Sequence, residues 1–129
     1  MRGIKFRVWD KKNNHWLEPD FFCISLSGIL WIFNDAEHLQ QDEFDIQQYT
    51  GLKDKNGEEV YEGDIVHYLM GAIDMVGSVG WDTLNSCFAI NANKDDETWH
   101  PLILSFAEYG YEVIGNVYEN PELVNNDQE

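Results

Sequence analysis

The residues able to do chemistry here are four histidines, two cysteines and many carboxylates. His15, His38, His67 and His100 show no HxxxH or HxH spacing and have no cysteine pair beside them. Tetrahedral zinc sites usually leave some local spacing, so scattered structural or surface histidines are expected. Cys23 and Cys87 stand far apart and in no CxxC pattern. In a chain read as intracellular, buried free thiols are expected rather than a disulfide. Cys87 with His67 or His100 could form a nucleophile–base pair on adjacent strands. Flanked by Ser86 and Phe88 on an apolar run, Cys87 reads better as core.

The carboxylates offer two further constellations. Asp54-Lys55-Asn56-Gly57 has the D-x-N-G look of a calcium loop, but the register defeats it. With Gly57 as the sixth position, Leu52 and Gly63 fall where an acid and a bidentate Glu are required. Glu58, Glu59, Glu62 and Asp64 could hold a metal for phosphoryl chemistry. That chemistry also needs groups to hold the phosphates, and only Lys53 and Lys55 lie near, on a turn tip. There is no GxSxG, phosphate loop or GxGxxG. The expectation is a non-enzyme, with no catalytic, cofactor-binding or metal-ligating residues.

The elements that would position these groups are organised around Gln48–Tyr68, which reads as strand, tight turn, strand, corner, strand. Tyr49, Leu52, Val60, Tyr61, Ile65, Val66 and Tyr68 are β-prone or apolar, and Asp54 to Gly57 supplies turn chemistry. A type I turn with Gly57 in a left-handed bulge sets Leu52 against Val60 and Lys53 against Glu59. At Glu62-Gly63-Asp64 the chain turns again: Gly63 tolerates positive φ, and the Asp64 carboxylate can accept backbone N–H bonds.

Elsewhere, Ile4, Phe6 and Val8 alternate with polar or amphipathic neighbours as a half-buried strand, returning through His15-Trp16-Leu17. Phe21–Ser25 and Ile29–Phe33 read as a hairpin around Ser27-Gly28. Apolar on both faces, it is expected to be central, covered, or an oligomer interface. Asn34–Glu43 reads as a surface loop, Leu69–Ala72 as a loop, and Asp74–Trp81 and Cys87–Ala92 as paired bent strands. Asn93–Glu97 reads as a charged tip, Pro101–Tyr109 as the one short helix, and Tyr111–Val117 as the closing strand. Asn120 and Pro121 suit the cap and first residue of a last helical turn. No internal repeat is read from the sequence. The fold class expected is mainly β: an SH3-like small barrel from about Gln48 onward, with additional N-terminal hairpins and one short helix. Residues 1–129 form one domain, divisible into 1–47 and 48–129.

QYTGLKDKNGEEVYEGDIV, together with the N-terminal IKFRVWD and the C-terminal YEVIGNVYENPELV, resembles the YopX family of bacteriophage and prophage proteins. The three segments span nearly the whole chain. The resemblance implies a mainly-β protein related to SH3-type barrels, from phages or prophages of Gram-positive bacteria. It implies no activity and carries over no catalytic residues.

Composition narrows the function classes. A net charge of −16 on 15.0 kDa disfavours phosphate backbones and anionic membranes and suits basic partners or simple solubility. With 43% hydrophobic and 14% aromatic residues, the chain has the means for a core. No apolar run approaches the roughly 20 residues of a transmembrane helix, and no uninterrupted apolar stretch follows the N-terminal charges as in a secretory signal. Arg2, Lys5, Arg7, Lys11 and Lys12 cluster at the N-terminus, among only eight basic residues. Arg7 with Trp9 could make an RNA-binding strand, but pairing with the chain's own acidic body is the plainer reading. Trp9, Trp16, Trp31, Trp81 and Trp99 suit core and interface. The expected function is a phage or prophage accessory protein working by protein–protein contact in the bacterial cytoplasm, with an unknown phage or host partner and a tendency to homo-oligomerise. The alternative is an acidic mimic of nucleic acid that inhibits a basic nucleic-acid-binding protein.

Overall fold

In the computed structural model the described residues are 3–32, 41–70, 73–91, 99–101 and 110–124. The protein is mainly β, with a sheet curled into a half-barrel. The strands are β1 (Phe6–Asp10), β2 (His15–Trp16), β3 (Phe22–Ile24), β4 (Leu30–Ile32), β5 (Phe44–Lys53), β6 (Glu59–Tyr61), β7 (Asp64–Met70), β8 (Ile73–Asp82), β9 (Cys87–Asn91), β10 (Trp99–Pro101) and β11 (Tyr111–Asn116). Short 3-10 turns occupy Pro19–Phe21, Gln41–Glu43 and Pro121–Leu123.

The chain divides into two compact units, one of Lys5–Gln48 and the other of Met1–Ile4 with Tyr49–Glu129. The larger holds a five-stranded antiparallel sheet in the order β10-β9-β8-β7-β11, and the second half of β5 pairs with β6. Its core is Val60, Val66, Tyr68, Val79, Ile90 and Tyr111, flanked by Leu52, Met75, Phe88 and Val113. The inward positions of β8 follow the two-residue period of a strand, Met75 and Val79 among them, with Gly77 buried between. In the smaller unit β1 lies between β2 and the first half of β5, and Val8 and Trp9 are buried. There β3 and β4 form a two-stranded sheet, Cys23 opposite Trp31.

The β5–β6 turn places Lys53 opposite Glu59, with Gly57 at φ +86°. Between Tyr49 and Lys53 the register slips, so the expected Leu52–Val60 pair is not part of a regular ladder. A β-bulge of this kind bends its strand and increases the local twist. At the following corner Gly63 has φ +83° and the Tyr61 N–H donates to Asp64 Oδ2 at 2.8 Å.

Several expectations are corrected. Pro101 closes strand β10, opposite Ala89, rather than opening a helix; an edge strand tolerates a residue with no N–H. The remainder of that helix, 102–109, lies outside the described residues, as do the charged tip 93–97 and positions 33–40 of the expected hairpin and loop. Leu69 and Met70 belong to β7, opposite Asp74 and Ile73. The apolar stretch 21–32 is no central strand pair but a two-stranded sheet of its own. The last helical turn is 3-10, and the Asn120 side chain does not cap it. Its Oδ1 instead accepts the Asn116 N–H at 3.2 Å.

Candidate functional site

Four aspartates are buried, each no more than 5% exposed: Asp54 and Asp64, weighed above for metal chemistry, and Asp10 and Asp82. Each accepts hydrogen bonds that hold a turn. Asp54 Oδ1 accepts the N–H groups of Asn56 and Glu58 at 2.8 and 2.9 Å, and its Oδ2 accepts the Val113 N–H at 2.9 Å. One side chain therefore closes the β5–β6 turn and joins it to β11. The D-x-N-G segment is a turn whose leading carboxylate faces inward to amides. Asp64 additionally receives Asn116 Nδ2 at 3.4 Å.

Asp10 and Asp82 reveal an internal repeat that the sequence reading missed. Trp9-Asp10-Lys11-Lys12-Asn13-Asn14-His15-Trp16 and Trp81-Asp82-Thr83-Leu84-Asn85-Ser86-Cys87-Phe88 share the pattern W-D-x-x-N-x-x-aromatic. In the first, Asp10 Oδ1 accepts the Lys12 and Asn13 N–H groups, and Asn13 Nδ2 donates to Oδ2 at 2.8 Å. In the second, Asp82 Oδ1 accepts the Leu84 and Asn85 N–H groups, and Asn85 Nδ2 donates to Oδ2 at 2.7 Å. Asn14 and Ser86 both take left-handed backbone, φ 58° and 52°. The flanking aromatics meet edge to face in both: Trp9–Trp16 at 4.9 Å and 74°, Trp81–Phe88 at 5.1 Å and 79°. The signal was present in the two WD dipeptides, but eight residues are too short to stand out as a repeat without the hydrogen bonds.

Burial raises the Asp10 pKa, but the Asn13 side chain, the backbone N–H groups of Asn13 and Lys12, and nearby His15 outweigh it, so the net displacement is downward. Burial, the Asp54 carboxylate and Tyr49 push the Tyr111 phenol up to about 12. Tyr68 is raised by burial alone.

The remaining constellations come apart. His67 stands opposite Val76 on β8, whereas Cys87 stands opposite Asp82, which separates them by roughly 20 Å at ~3.3 Å per residue. His67 Nε2 instead meets Asp74 Oδ1 at 2.7 Å. His100 stands opposite Ile90, roughly 10 Å along β9 from Cys87. Glu58 is exposed, Glu59 and Glu62 are half-buried, and Asp64 is turned into its corner. Among the described residues no three of His, Cys, Asp and Glu are grouped to hold a metal ion. Trp9 is too buried to stack on a base. Arg7 lies over the Trp16 ring at 4.4 Å and donates from Nε to Gln47 Oε1 at 3.0 Å. Neither cysteine is in a disulfide, and Cys23 is exposed rather than core.

Large apolar side chains also reach solvent. In the smaller unit Phe21, Leu26, Ile29 and Trp31 are 49, 110, 46 and 54% exposed, around exposed Cys23. In the larger unit Trp81 and Leu84, at the β8–β9 tip, are 48 and 91% exposed. These two surfaces are the candidate sites, and binding by contact is the chemistry open to them.

Comparison with known proteins gives a consistent result. A family model described as YopX protein matches residues 5–125. Protein EF1440 from Enterococcus faecalis, known from a crystal structure, is similar at 28% identity and a TM-score of 0.59, covering 97% of this chain and 100% of that one. Protein yopX from Bacillus subtilis is similar in fold at 22% identity and a TM-score of 0.54, again over 97% and 100% of the two chains. No curated protein matches.

Proposed function

The chain belongs to the YopX family, and from that premise we propose that it works by protein–protein contact, as a non-enzymatic accessory protein of a phage or prophage. The reading has it act in the cytoplasm of a bacterial host on a phage or host protein, without touching nucleic acid directly. The larger unit is read as an SH3-like barrel serving as scaffold.

One observation carries this reading. Two of the acids weighed for metal or phosphoryl chemistry, Asp54 and Asp64, are turned inward to hold turns, Glu58, Glu59 and Glu62 are not gathered into a metal-binding group among the described residues, and large apolar side chains stand on the surface. A buried acid saturated by amide donors is poorly placed for proton transfer. An exposed tryptophan beside other apolar groups is the usual centre of a contact surface. The test is affinity capture from a host carrying the phage or prophage, with the partner identified by mass spectrometry and then purified. Binding that falls when Trp31 or Leu84 is cut back to Ala, and that survives moderate salt, supports the reading. Hydrolytic activity lost on Asp64→Asn or Cys87→Ala would refute it.

The alternative, an acidic mimic of nucleic acid, is favoured by the net charge of −16. Mimicry needs carboxylates spaced like phosphates along one line. Asp10, Asp54, Asp64 and Asp82 are unavailable for that, being buried. Binding abolished by moderate salt and indifferent to Trp31→Ala would reverse the ranking.

A further inference from the structure

We propose that the outward face of the β3–β4 hairpin is a self-association surface, through which two copies of the chain pair about a two-fold axis. The inference rests on the contact-based reading above and names its surface and partner.

The face follows from strand alternation. Leu30 points inward and is fully buried, and Phe22 and Ile24 are half-buried. The intervening strand positions, Cys23 on β3 and Trp31 on β4, point out opposite one another, and the residues flanking the strands, Phe21 before β3 and Ile29 before β4, are exposed too. Leu26 extends this face at the turn. Among the described residues β3 and β4 pair with no third strand. A two-stranded hairpin is marginal in water unless a face is packed. Burying the exposed outer side chains would strengthen the hairpin.

Charge selects a second copy as the occupant. Phe21 to Asn34 is the longest stretch of the chain without Asp, Glu, Lys or Arg. A molecule of net −16 repels its own copies over most of its surface. The residues of this face carry no charge, so two copies can meet there without setting like charges at its centre. A strongly basic partner would gain little from a neutral face and would be drawn to the acidic remainder. Two-fold symmetry sets an apolar patch against itself, so complementarity of chemistry is automatic.

Area sets the strength. From the fractional exposures of Phe21, Leu26, Ile29 and Trp31, the face offers roughly 500 Å² per copy, taking ~150–250 Å² for a whole aromatic side chain. Pairing then buries about 1,000 Å², the lower edge of specific interfaces, which points to a dimer in the micromolar range.

The test is mass against concentration by light scattering and sedimentation, from about 1 μM to about 1 mM, bracketing that range. The expected result is a rise from 15.0 kDa to double that value. Trp31→Asp, which sets two like charges together at the centre, should raise the dissociation constant at least ~10-fold. Because that variant could disturb the hairpin itself, a second arm uses the native face. A short bismaleimide should cross-link Cys87→Ser through Cys23 into a covalent dimer and give no covalent dimer with Cys23→Ser. A monomer across the whole range overturns the proposal, as does a dimer indifferent to Trp31→Asp and cross-linked through Cys87 alone. A monomer whose captured partner is lost on Trp31→Asp also overturns self-pairing, while leaving the contact-based reading standing. Loss of neither partner nor dimer on that substitution removes this face from both.

Discussion

Replacing Asp54 tests how much of the larger unit depends on one carboxylate. Its three acceptor bonds differ in what their loss would cost. The Asn56 and Glu58 amides sit on an exposed turn, so in Asp54→Ala water can reach them, and each should cost about 1 kcal/mol. The Val113 N–H lies on half-buried β11, and losing its charged acceptor should cost ~1.5–3 kcal/mol. The expected total is about 3–5 kcal/mol, a large share of the ~5–15 kcal/mol available to a domain. Asp54→Asn keeps an oxygen for the turn but sets an amide donor against the Val113 N–H. It should therefore cost about 2 kcal/mol, between wild type and Ala. Urea unfolding followed by tryptophan fluorescence would read this as a midpoint lowered by ~2 M for Ala and ~1 M for Asn, at an unchanged slope. An Ala variant within ~0.5 kcal/mol of wild type would refute the reasoning, as would an Asn variant less stable than Ala.

The other expectations are smaller in scope. Gly57→Val should destabilise by about 1–2 kcal/mol through backbone strain alone, since φ is +86° and a Cβ there meets nothing within 4 Å; unchanged thermal stability would show the turn to be wrongly assigned. Ser86→Asn, which copies the first hairpin at the same left-handed position, should stabilise by ~0.5 kcal/mol, read as a raised urea midpoint. Tyr111 ionises near pH 10 when unfolded but at about 12 when folded. Stability from this group is therefore intact below pH ~10 and falls as pH rises toward 12, and Tyr111→Phe should flatten that fall in a melting-temperature profile. Asp10 carries the opposite sign: its folded pKa is lowered, so its contribution is present above pH ~3.9 and is lost as pH falls further. Direct binding to DNA or RNA should be undetectable by fluorescence anisotropy at ~0.15 M salt.

Local chemistry was legible in the sequence where one residue type has one conformational use. Gly57 and Gly63 both take the positive φ their settings require, and Asp64 accepts an N–H at its corner. Long apolar runs located β7, β8 and β11 to within a residue or two. Asp54 was harder to read, because a carboxylate in a polar turn looks solvated until the strand above it is known. Its Val113 partner lies 59 residues on, and no window of sequence brings the two together. The two-sided apolarity of Phe21–Ser25 and Ile29–Phe33 leaves a central, a covered or an interface position open. The structure gives β3 and β4 a sheet of their own, since apolarity on a second face does not say what will cover it. The repeated W-D-x-x-N hairpin was missed because Lys11-Lys12 and Thr83-Leu84 differ wherever composition would be compared. The shared tryptophan, aspartate and asparagine stand out only once the aspartate's acceptor geometry is seen in both.

The two oxygens of Asp54 also divide the history of the chain's collapse. Oδ1 closes contacts two and four residues away, which a turn can form within microseconds, before any larger structure exists. Oδ2 must wait for a strand 59 residues downstream, behind a loop whose closure entropy grows with the logarithm of its length. The same side chain is thus expected to make one contact before the rate-limiting step and the other after it. Substitutions that weaken only the turn arm should slow folding, and those that weaken only the β11 arm should speed unfolding. A single buried carboxylate would then mark both the start of the larger unit's folding and the final docking of β11.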